Sequence, residues 1–446
     1  MFNRVILKEL EKWAVKKGRK PLILRGARQV GKTTAVNMFS ANFNQFVYLN
    51  LEHPDERQLF ERNYPFSQLI DAIFFYKDKD KNVDRTLIFI DEIQNAPAAV
   101  RLLRFFYEEA PHFFVIAAGS LLESLIDNTI SFPVGRVEYL AVRPLTFVEF
   151  LMATGEEKSL DLLTDLNIPD YAHNKLMDLF KQYTIIGGMP EIIANYVEYH
   201  NFYNLREIYD QLIVSYLDDV EKYGKNQTTI DVIRHVISSA FRYAGQRITF
   251  TKFGNSQYKS REMSGAFKTL EKTMLLKLIY PVENLKLPAV SNLRKAPKLQ
   301  LLDTGLVNYS SGLQKQLFVS DLIESVYRGK IAEHVIGQEI LGMESSVRAS
   351  LDFWTSERRN SQAEVDFLYR YKDMLIPIEV KLGASGKLRS LHQFVNLAPQ
   401  NWAVRFYSGK MVVEEAKTIS GKKYKLINLP HYMAGKLDLV LERIIK

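Results

Sequence analysis

Cysteine is absent from the 446-residue chain, so disulfide bonds and thiolate-bound metal ions are excluded. The 8 histidines are scattered, and their spacing is not that of a zinc site. No apolar run approaches the ~18 residues needed to span a bilayer. The N-terminus has neither the apolar core nor the cleavage site of a signal peptide. These absences predict a soluble, cytoplasmic protein that does not contact a membrane.

The composition is that of a folded protein with a mildly basic surface. Apolar residues make up 47% of the chain, and its length suits about three domains. Lys and Arg number 59 against 51 Asp and Glu, which gives a net charge of +8. An excess of this size suits contacts with nucleic-acid phosphates, and it equally suits an ordinary solvated surface.

A phosphate-binding loop is the most specific motif in the sequence. It follows the apolar run 21–24 and reads Gly26-Ala27-Arg28-Gln29-Val30-Gly31-Lys32-Thr33. The glycines let backbone N–H groups point at a phosphate, Lys32 would reach the β- and γ-phosphates, and Thr33 would bind Mg²⁺. A helix from Thr33 to residue 39, with Thr34 in its first turn, would place its N-terminus under the phosphates. We therefore expect a nucleoside triphosphate and Mg²⁺ at residues 26–34.

Two carboxylates follow a buried strand. Asp91 and Glu92 come directly after the apolar run 86–90. Such strands, alternating with helices, predict a parallel, doubly wound sheet. Ligands bind at the carboxyl ends of these strands, so Asp91 would bind Mg²⁺ and Glu92 would orient or deprotonate the attacking water. The alternative is an acidic pair that caps the helix beginning near Pro97.

Two further residues are candidates in the same domain. Ser120 follows the strand-like run 113–118 and would either hydrogen-bond to the γ-phosphate or cap the helix that starts at Leu121. Arg136 precedes the run 137–142. Its guanidinium would stabilise a phosphate of its own subunit or of a neighbour, or it would form an exposed salt bridge.

Together with the run 143–150 and Gly187-Gly188-Met189-Pro190, these motifs resemble the predicted bacterial and archaeal ATPases of the AAA+ superfamily that carry a C-terminal nuclease-like domain of unknown function. The resemblance covers most of the chain. It implies ATP as the ligand, the strand order 5-1-4-3-2, a helical lid and a nucleotide-facing role for Gly188 and Pro190. An ordinary helix–helix turn also explains those two residues. AAA+ proteins often form rings, so a homo-oligomer is a further expectation.

The middle of the chain is helical and then mixed. Residues 151–225 have apolar side chains at helical spacing, which suits a lid. Helices at 229–243 and 260–277, with strands at 278–280 and 298–302, predict a winged helix. Basic residues on or near its recognition helix and wing are Lys259, Arg261, Lys268, Lys286, Arg294, Lys295 and Lys298. They predict contacts with DNA phosphates, and a module that docks to protein is the alternative.

A hairpin with acidic residues dominates the C-terminal part. A turn at Lys372-Asp373 would oppose Asp366 to Glu379 and put Lys381 on the same face as Glu379. Two carboxylates and a lysine are what phosphodiester cleavage with Mg²⁺ or Mn²⁺ needs. The same register opposes Glu364 to Lys381, so a structural ion pair is the alternative.

The hairpin resembles the PD-(D/E)XK nuclease motif, with Val365 where the motif has proline. The resemblance implies Glu333, on a preceding helix, as a further acidic ligand of the metal. It also implies Gln393, on the following helix, as an accessory group.

These expectations describe an α/β protein in four parts. They are a P-loop AAA+ parallel-sheet ATPase core at 1–152, a helical lid at 153–225, a winged-helix domain at 226–312 and a restriction-endonuclease-like α/β domain at 313–446. We expect Mg²⁺-dependent ATP hydrolysis coupled to a nucleic-acid-binding, nuclease-like effector. The second interpretation is a regulator that docks to DNA or to a protein partner through an inactive nuclease fold. A small-molecule kinase would explain the loop, but not the carboxylate pair or the rest of the chain.

Overall fold

The computed structural model describes residues 2–119, 133–222, 224, 226–312, 314, 325–356, 363–383 and 387–445. The N-terminal part is built around a five-stranded parallel sheet. Its strands are β1 (Leu22–Arg25), β2 (Gln45–Asn50), β3 (Thr86–Asp91), β4 (Phe114–Gly119) and β5 (Glu138–Ala141). Their spatial order is β2-β3-β4-β1-β5. This confirms the expected order 5-1-4-3-2, which is the same order counted from the other edge.

Helices cover both faces of this sheet because its strands are apolar on both sides. The helices are α1 (Ile6–Ala14), α2 (Lys32–Phe39), α3 (Pro54–Glu61), α4 (Phe66–Tyr76) and α5 (Pro97–Glu108). Leu22 and Leu24 pack with α1 and α2, whereas Ile23 packs in a separate core with α4 and α5. The alternation of side chains along β1 therefore separates two cores. The carboxyl ends of the strands are left for a ligand.

The described residues after β5 are helical, as the spacing in 151–225 predicts. They form α6 (Phe147–Ala153), α7 (Glu157–Asp165), α8 (Asp170–Ile186), α9 (Pro190–Tyr199) and α10 (Leu205–Asp218). A capping box starts α6, because Thr146 accepts a hydrogen bond from the N–H of Glu149 and Glu149 accepts one from the N–H of Thr146. Gly187, between α8 and α9, has a φ of 78°, a conformation that favours glycine.

The middle segment has two long helices and a strand pair. The elements are α11 (Gln227–Ala240), α12 (Ser260–Lys272), β6 (Leu276–Ile279) and β8 (Lys298–Leu301), and β6 pairs with β8 antiparallel. The helix predicted to reach residue 277 ends at Lys272, where the chain turns into β6. The chain between β6 and β8 contributes β7 (Pro281–Val282) to the C-terminal sheet, where it pairs with β9 (Asp352–Thr355).

The C-terminal sheet has seven strands in the order β13-β14-β12-β11-β10-β9-β7. The strands not yet named are β10 (Glu364–Tyr371), β11 (Met374–Val380), β12 (Trp402–Tyr407), β13 (Val412–Lys417) and β14 (Lys423–Pro430). The helices of this part are α13 (Thr304–Ser310), α14 (Ser325–Gly342), α15 (Arg389–Leu397) and α16 (Leu437–Ile444). A continuous apolar core runs from Ile6 in α1 to Ile445 after α16. Among the described residues, no helix combines the length and apolarity that crossing a bilayer requires.

Two lysines of the predicted wing are engaged within the protein. Lys298 is 5% exposed and forms an ion pair with Glu364. Lys295 pairs with Glu283. The prediction that Lys298 contacts DNA phosphates is therefore wrong, because its ammonium group is buried against a carboxylate of the same chain. For Lys295, whose side chain is 32% exposed, that contact stays a prediction. Lys286 and Arg294 lie on the surface.

Candidate nucleotide site and C-terminal carboxylate cluster

The phosphate loop connects β1 to α2 as the sequence predicts. Within the loop, Gln29 and Gly31 have φ values of 63° and 89°. The loop also passes so close to β5 that a Cβ on Gly26 would overlap the carbonyl oxygen of Val142. Glycine at position 26 is thus required by close backbone approach, and the backbone curls before the N-terminus of α2.

Lys32, Thr33 and Asp91 converge beside the loop. The Lys32 ammonium donates to the carbonyl oxygens of Gly26 (3.0 Å) and Ala27 (2.9 Å). The Thr33 hydroxyl donates to Asp91 Oδ2 at 2.7 Å. Burial lowers the pKa of Lys32 and raises that of Asp91. A threonine hydroxyl and a carboxylate are oxygen ligands of the kind that Mg²⁺ prefers, so these residues fit the ion that the loop implies.

Glu92 lies at the end of β3 in a left-handed conformation, with a φ of 51°. The side-chain amide of Gln94 donates to Glu92 Oε2. Burial raises the pKa of Glu92, and the bond from Gln94 opposes that shift. The alternative of an acidic pair that caps α5 is wrong, since α5 begins at Pro97 with Ala96 as its N-cap and no side-chain cap.

Tyr48, Arg4 and Asp219 adjoin this site, although no motif in the sequence indicates it. The hydroxyl of Tyr48 donates to Asp91 Oδ2 at 3.4 Å, and burial raises the Tyr48 pKa to about 12. Arg4 donates to the carbonyl oxygen of Val30 at 3.0 Å. The loop residue Arg28 pairs with Asp219, which is 2% exposed and directly follows α10. These partners are 26 to 191 residues apart in sequence, so local patterns gave no signal for them.

Gly188 and Pro190 lie in different surroundings. A Cβ on Gly31 would be 3.5 Å from Pro190 Cγ, so Pro190 borders the phosphate loop. Gly188 faces the backbone of Leu145, whose N–H donates to the Gly188 carbonyl at 2.7 Å. Two further predicted site residues remain. Thr34 is exposed in the first turn of α2, and Ser120 lies outside the described residues.

Arg136 lies at the amino ends of the strands, whereas a phosphate bound by its own subunit would lie at their carboxyl ends. It precedes β5, whose Glu138 pairs with Leu22 at the amino end of β1, whereas the phosphate loop follows the carboxyl end. Arg136 is exposed and pairs with Glu108 at 2.7 Å. The prediction that Arg136 stabilises a phosphate of its own subunit is therefore wrong, and the alternative of an exposed salt bridge is confirmed.

The C-terminal hairpin has the predicted register. Phe367 pairs with Ile378 and Tyr371 with Met374, around the turn at Lys372-Asp373. Asp366 Oδ2 accepts a hydrogen bond from the N–H of Val380 at 2.8 Å. The Lys381 ammonium lies 2.6 Å from Glu379 Oε1. The alternative ion pair between Glu364 and Lys381 is wrong, because each has another partner.

Lys298, from β8, is the unexpected member of this cluster. Its ammonium lies 2.7 Å from Glu364 Oε1, 3.5 Å from Glu333 Oε2 and 4.0 Å from Asp366 Oδ1. Burial disfavours the charged ammonium, but Glu333, Asp366 and Glu364 outweigh it and raise the Lys298 pKa. A cation of the protein itself therefore sits among the carboxylates that were predicted to bind a metal ion.

The carboxylates of the cluster hold protons more tightly than usual. Burial, then the neighbouring Asp366, raises the pKa of Glu379 to about 8. Burial, then Asp366, raises that of Glu333 to about 7. Over the described residues, no group of three or more His, Asp or Glu side chains is arranged to hold a metal ion. Gln393, the predicted accessory group, is exposed on α15.

Comparison with known proteins divides the chain into three matched segments. Residues 18–151 match the family described as AAA domain (AAA_14). Residues 177–317 and 328–432 match two families described as domains of unknown function, DUF8612 and DUF4143. Among curated proteins, nothing matches the chain.

Several solved structures match the chain at low sequence identity and low TM-score. The Walker-type ATPase PABY2304 of Pyrococcus abyssi is 14% identical, with 70% of this chain and 96% of that chain covered and a TM-score of 0.44. The Orc1 protein of Aeropyrum pernix, in complex with DNA, is 13% identical over 71% of this chain and 92% of that chain, with a TM-score of 0.27. The Holliday-junction branch-migration motor RuvB of Thermotoga maritima is 14% identical over 66% and 93%, with a TM-score of 0.28. At these TM-scores the similarities do not bear on function.

The matched AAA segment contains the whole five-stranded sheet, the phosphate loop and the Asp91-Glu92 pair. The sheet order, the loop geometry and the contact between Thr33 and Asp91 all agree with that match. The match of residues 18–151 therefore supports an ATP-binding AAA domain in this part of the chain.

Proposed function

We propose that the protein is an ATP-hydrolysing switch in which the nucleotide controls the C-terminal domain, and that this domain docks to DNA or to a protein partner without cutting nucleic acid. In this proposal, Lys32 binds the β- and γ-phosphates, and Thr33 and Asp91 hold Mg²⁺. Glu92 orients the attacking water or accepts its proton. Lys32 would exchange its two carbonyl acceptors for phosphate oxygens when ATP binds.

The observation that carries the coupling is a buried hydrogen-bonded joint between the AAA domain and the C-terminal part. Glu339 of α14 accepts hydrogen bonds from the N–H of Phe147 at 3.0 Å and from the hydroxyl of Tyr183 at 2.7 Å. The same hydroxyl also contacts the carbonyl oxygen of Leu145 at 2.9 Å. All of these groups are buried. A displacement of one side of this joint must move or break the other, because buried polar groups left unpaired are costly.

The segment Gly188–Pro190 connects this joint to the phosphate loop. Pro190 borders Gly31 of the loop. The neighbouring Gly188 is held by Leu145 on one side, and its N–H donates to Asp303 at the start of α13 on the other. A lid that closes over ATP would therefore pull on residues that also hold the C-terminal part.

Lys298 supports a docking role over a cutting role. Its ammonium compensates the charge of Glu333, Glu364 and Asp366, which a divalent cation would otherwise compensate. A metal ion would have to displace a lysine that is buried and paired. The exposed basic residues Lys286 and Arg294 provide positive charge for an acidic partner or for DNA phosphates.

Hydrogen exchange tests the coupling. With Mg²⁺ and ATP, we expect slower exchange of the amides at 145–147 and at 339–343 in the wild type. We expect no change in Lys32→Ala, which lacks the phosphate-binding ammonium. Arg57→Ala, at a partly exposed position of α3 outside the phosphate loop, serves as the matched control and should behave as the wild type. Protection confined to residues 26–34 would refute the coupling while leaving ATP binding intact.

A metal-dependent nuclease is the second candidate, favoured by one observation. Glu379 Oε2 is buried and has no hydrogen-bond partner among the described residues, so this oxygen is available as a ligand beside the Lys381 ammonium. Plasmid cleavage with Mn²⁺, with and without ATP, separates the candidates. Cleavage that is lost in Glu379→Ala would favour the nuclease. ATP hydrolysis without any cleavage that depends on Glu379 would favour the docking switch.

A further inference from the structure

A cavity of about 370 Å³ lies where the AAA domain, the middle segment and the C-terminal part meet. Its walls include Leu145 and Thr146 after β5, the end of α12, strand β6, and Gln338 and Leu341 of α14. The side chains of the carboxylate cluster do not line the cavity, although α14 also carries Glu333, and the loop residues 26–34 do not line it either. It is thus separate from both sites described above.

The cavity is strongly cationic. The charged residues in its walls are Arg25, Arg143, Lys268, Glu271, Lys272 and Lys277. Five are cations and one is a carboxylate, so the described lining carries a net charge of +4. Glu271 Oε1 already accepts a hydrogen bond from the N–H of Leu278 at 3.0 Å. Positive charge within concave, partly apolar walls concentrates anions.

Arg143 and Lys277 are the most informative of these cations. The guanidinium of Arg143 donates to the carbonyl oxygens of Glu344 at 3.4 Å and Ser346 at 3.2 Å. The Lys277 ammonium donates to the carbonyl oxygen of Ala349. Neither forms an ion pair with a carboxylate within the described ranges. Burial lowers the pKa of Arg143 to about 10, and burial together with Arg143 lowers that of Lys277. Two cations that disfavour each other here would both gain from an anion between them.

We propose that this cavity binds a small anion with two or more phosphate groups, such as an inorganic or nucleoside polyphosphate. A guanidinium and several ammonium groups are the donors that proteins use for phosphate oxygens. A volume of about 370 Å³ lies in the range of small-molecule sites, ~300 to 1,000 Å³. A nucleic-acid duplex would need an open track rather than a pocket between domains, so a small molecule fits the site better.

Such a ligand would act as an effector of the AAA domain. Arg25 directly precedes the phosphate loop, and its guanidinium donates to the carbonyl oxygen of Lys272 at 3.3 Å. Arg143 connects β5 to the chain after α14. An anion held by these groups would fix the AAA domain, α12 and the C-terminal part in one arrangement. This inference does not depend on what the C-terminal domain binds.

Isothermal titration of the Lys32→Ala protein with inorganic triphosphate tests the site, because this variant removes the main phosphate contact of the loop. We expect one saturable site whose Kd rises about tenfold in an added Lys277→Met or Lys268→Met change, as one charge-assisted contact is lost. Lys268 is exposed at the cavity mouth, so that change keeps the test informative if Lys277→Met fails to fold. Lys286→Met, an exposed lysine outside the cavity, should leave the Kd unchanged.

The outcomes separate the possible ligands. Binding that is absent from Lys32→Ala, or that ignores the cavity substitutions, would overturn the proposal. Titration with a single-stranded oligonucleotide is the second arm. Tighter binding of the oligonucleotide than of triphosphate, weakened by Lys268→Met, would reassign the cavity to nucleic-acid phosphates and would also overturn it.

Discussion

At the residue scale, the role proposed for Glu92 depends on how its carboxylate is held. Its backbone is in a left-handed conformation, and Gln94 donates to its carboxylate. Burial raises the pKa of Glu92, while the bond from Gln94 lowers it. Gln94 is therefore a positioning residue whose hydrogen bond favours the ionised form of Glu92, which a base that accepts a proton from water requires.

Replacing Gln94 by Leu should move the pH dependence of ATP hydrolysis. Without the hydrogen bond, the Glu92 pKa rises further, so the acidic limb of the kcat/KM profile shifts to higher pH. The affinity for ATP should stay within about twofold, since Gln94 is not in the phosphate loop. Stopped assays from pH 5 to 9 would measure this, with Gln211→Leu on the exposed face of α10 as the control. An unshifted profile would show that Gln94 has no influence on the base.

Lys298 is the second residue whose role can be isolated. Removing one partner of a buried charged group costs about 3–5 kcal/mol, because the remaining charges lose their compensation. We expect Lys298→Met to lower the free energy of unfolding by an amount of that order. Mn²⁺ should recover part of the loss, since a cation bound only by the folded state stabilises it.

Urea unfolding with and without Mn²⁺ would measure this effect, and Lys286→Met should show neither the loss nor the recovery. If the variant unfolds at the same urea concentration with and without the metal, Lys298 does not stand in for a metal ion.

At the element scale, the features that the sequence predicts correctly are those that residues close together in the chain determine. The strand, loop and helix around residues 22–39 follow from an apolar run, two glycines and helical spacing. The register of β10 and β11 follows from the two-residue turn at Lys372-Asp373, which fixes pairing along both strands. The strand order of the AAA sheet came from the family resemblance, since neither periodicity nor spacing determines it.

The remaining features depend on contacts between distant segments. Lys298 lies 35 residues before Glu333 and 66 before Glu364 in sequence, and no pattern in β8 indicated that its lysine would be buried among them. The role of Arg136 within its own subunit was predicted wrongly, because the pairing of β5 with β1 decides at which end of the strands Arg136 lies. The loop between β6 and β8 looked like a free wing, yet β7 within it pairs with β9.

The connection between α8 and α9 carries a prediction at this scale. A Cβ on Gly188 would overlap the carbonyl oxygen of Leu145, so Gly188→Ala should push the connection between α8 and α9 away from Leu145. We expect this change to lower the free energy of unfolding by about 1–3 kcal/mol, as overpacking does. Gly265, in the middle of α12, has open space around its Cα. Gly265→Ala should instead stabilise the protein by about 0.5–1 kcal/mol through helix propensity.

The two glycine variants check each other in the same unfolding assay. ATP hydrolysis should fall in Gly188→Ala and stay unchanged in Gly265→Ala. Equal stability of both variants would mean that the contact between Gly188 and Leu145 does not hold the connection between α8 and α9.

At the scale of the whole molecule, buried carboxylates join the parts of the chain. Asp303 holds the N–H of Gly188, and Glu339 holds Phe147 and Tyr183. Burial raises the pKa of Asp303 to about 6 and that of Glu339 to about 7. In the C-terminal carboxylate cluster, burial likewise raises the pKa of Glu333 to about 7 and that of Glu379 to about 8. The connections between domains therefore share one electrostatic property, which pH can test.

These raised pKa values predict that the four carboxyl groups contribute more stability at mildly acidic than at mildly basic pH. In the unfolded chain the same groups lose their protons near pH 4 to 4.5, so the folded state binds more protons between that range and about pH 8. The contribution of these groups to stability therefore falls as the pH rises through this window. For Glu339 the loss is of the order of 3 kcal/mol at most, because one unit of pKa is worth about 1.4 kcal/mol.

Glu339→Gln isolates the contribution of the joint. The amide keeps an oxygen that can accept from Phe147 and Tyr183, but it cannot ionise, so the variant should lose less stability than the wild type between pH 5 and pH 8. Urea unfolding at four pH values would measure both slopes, with the exposed Glu157→Gln as a control that keeps the wild-type slope. Because the joint lies between domains, the effect should also appear as slower exchange of the amides at 145–147 in Glu339→Gln at pH 8. If Glu339→Gln and the wild type lose stability in parallel, Glu339 is ionised in the folded protein throughout, and the joint does not respond to pH.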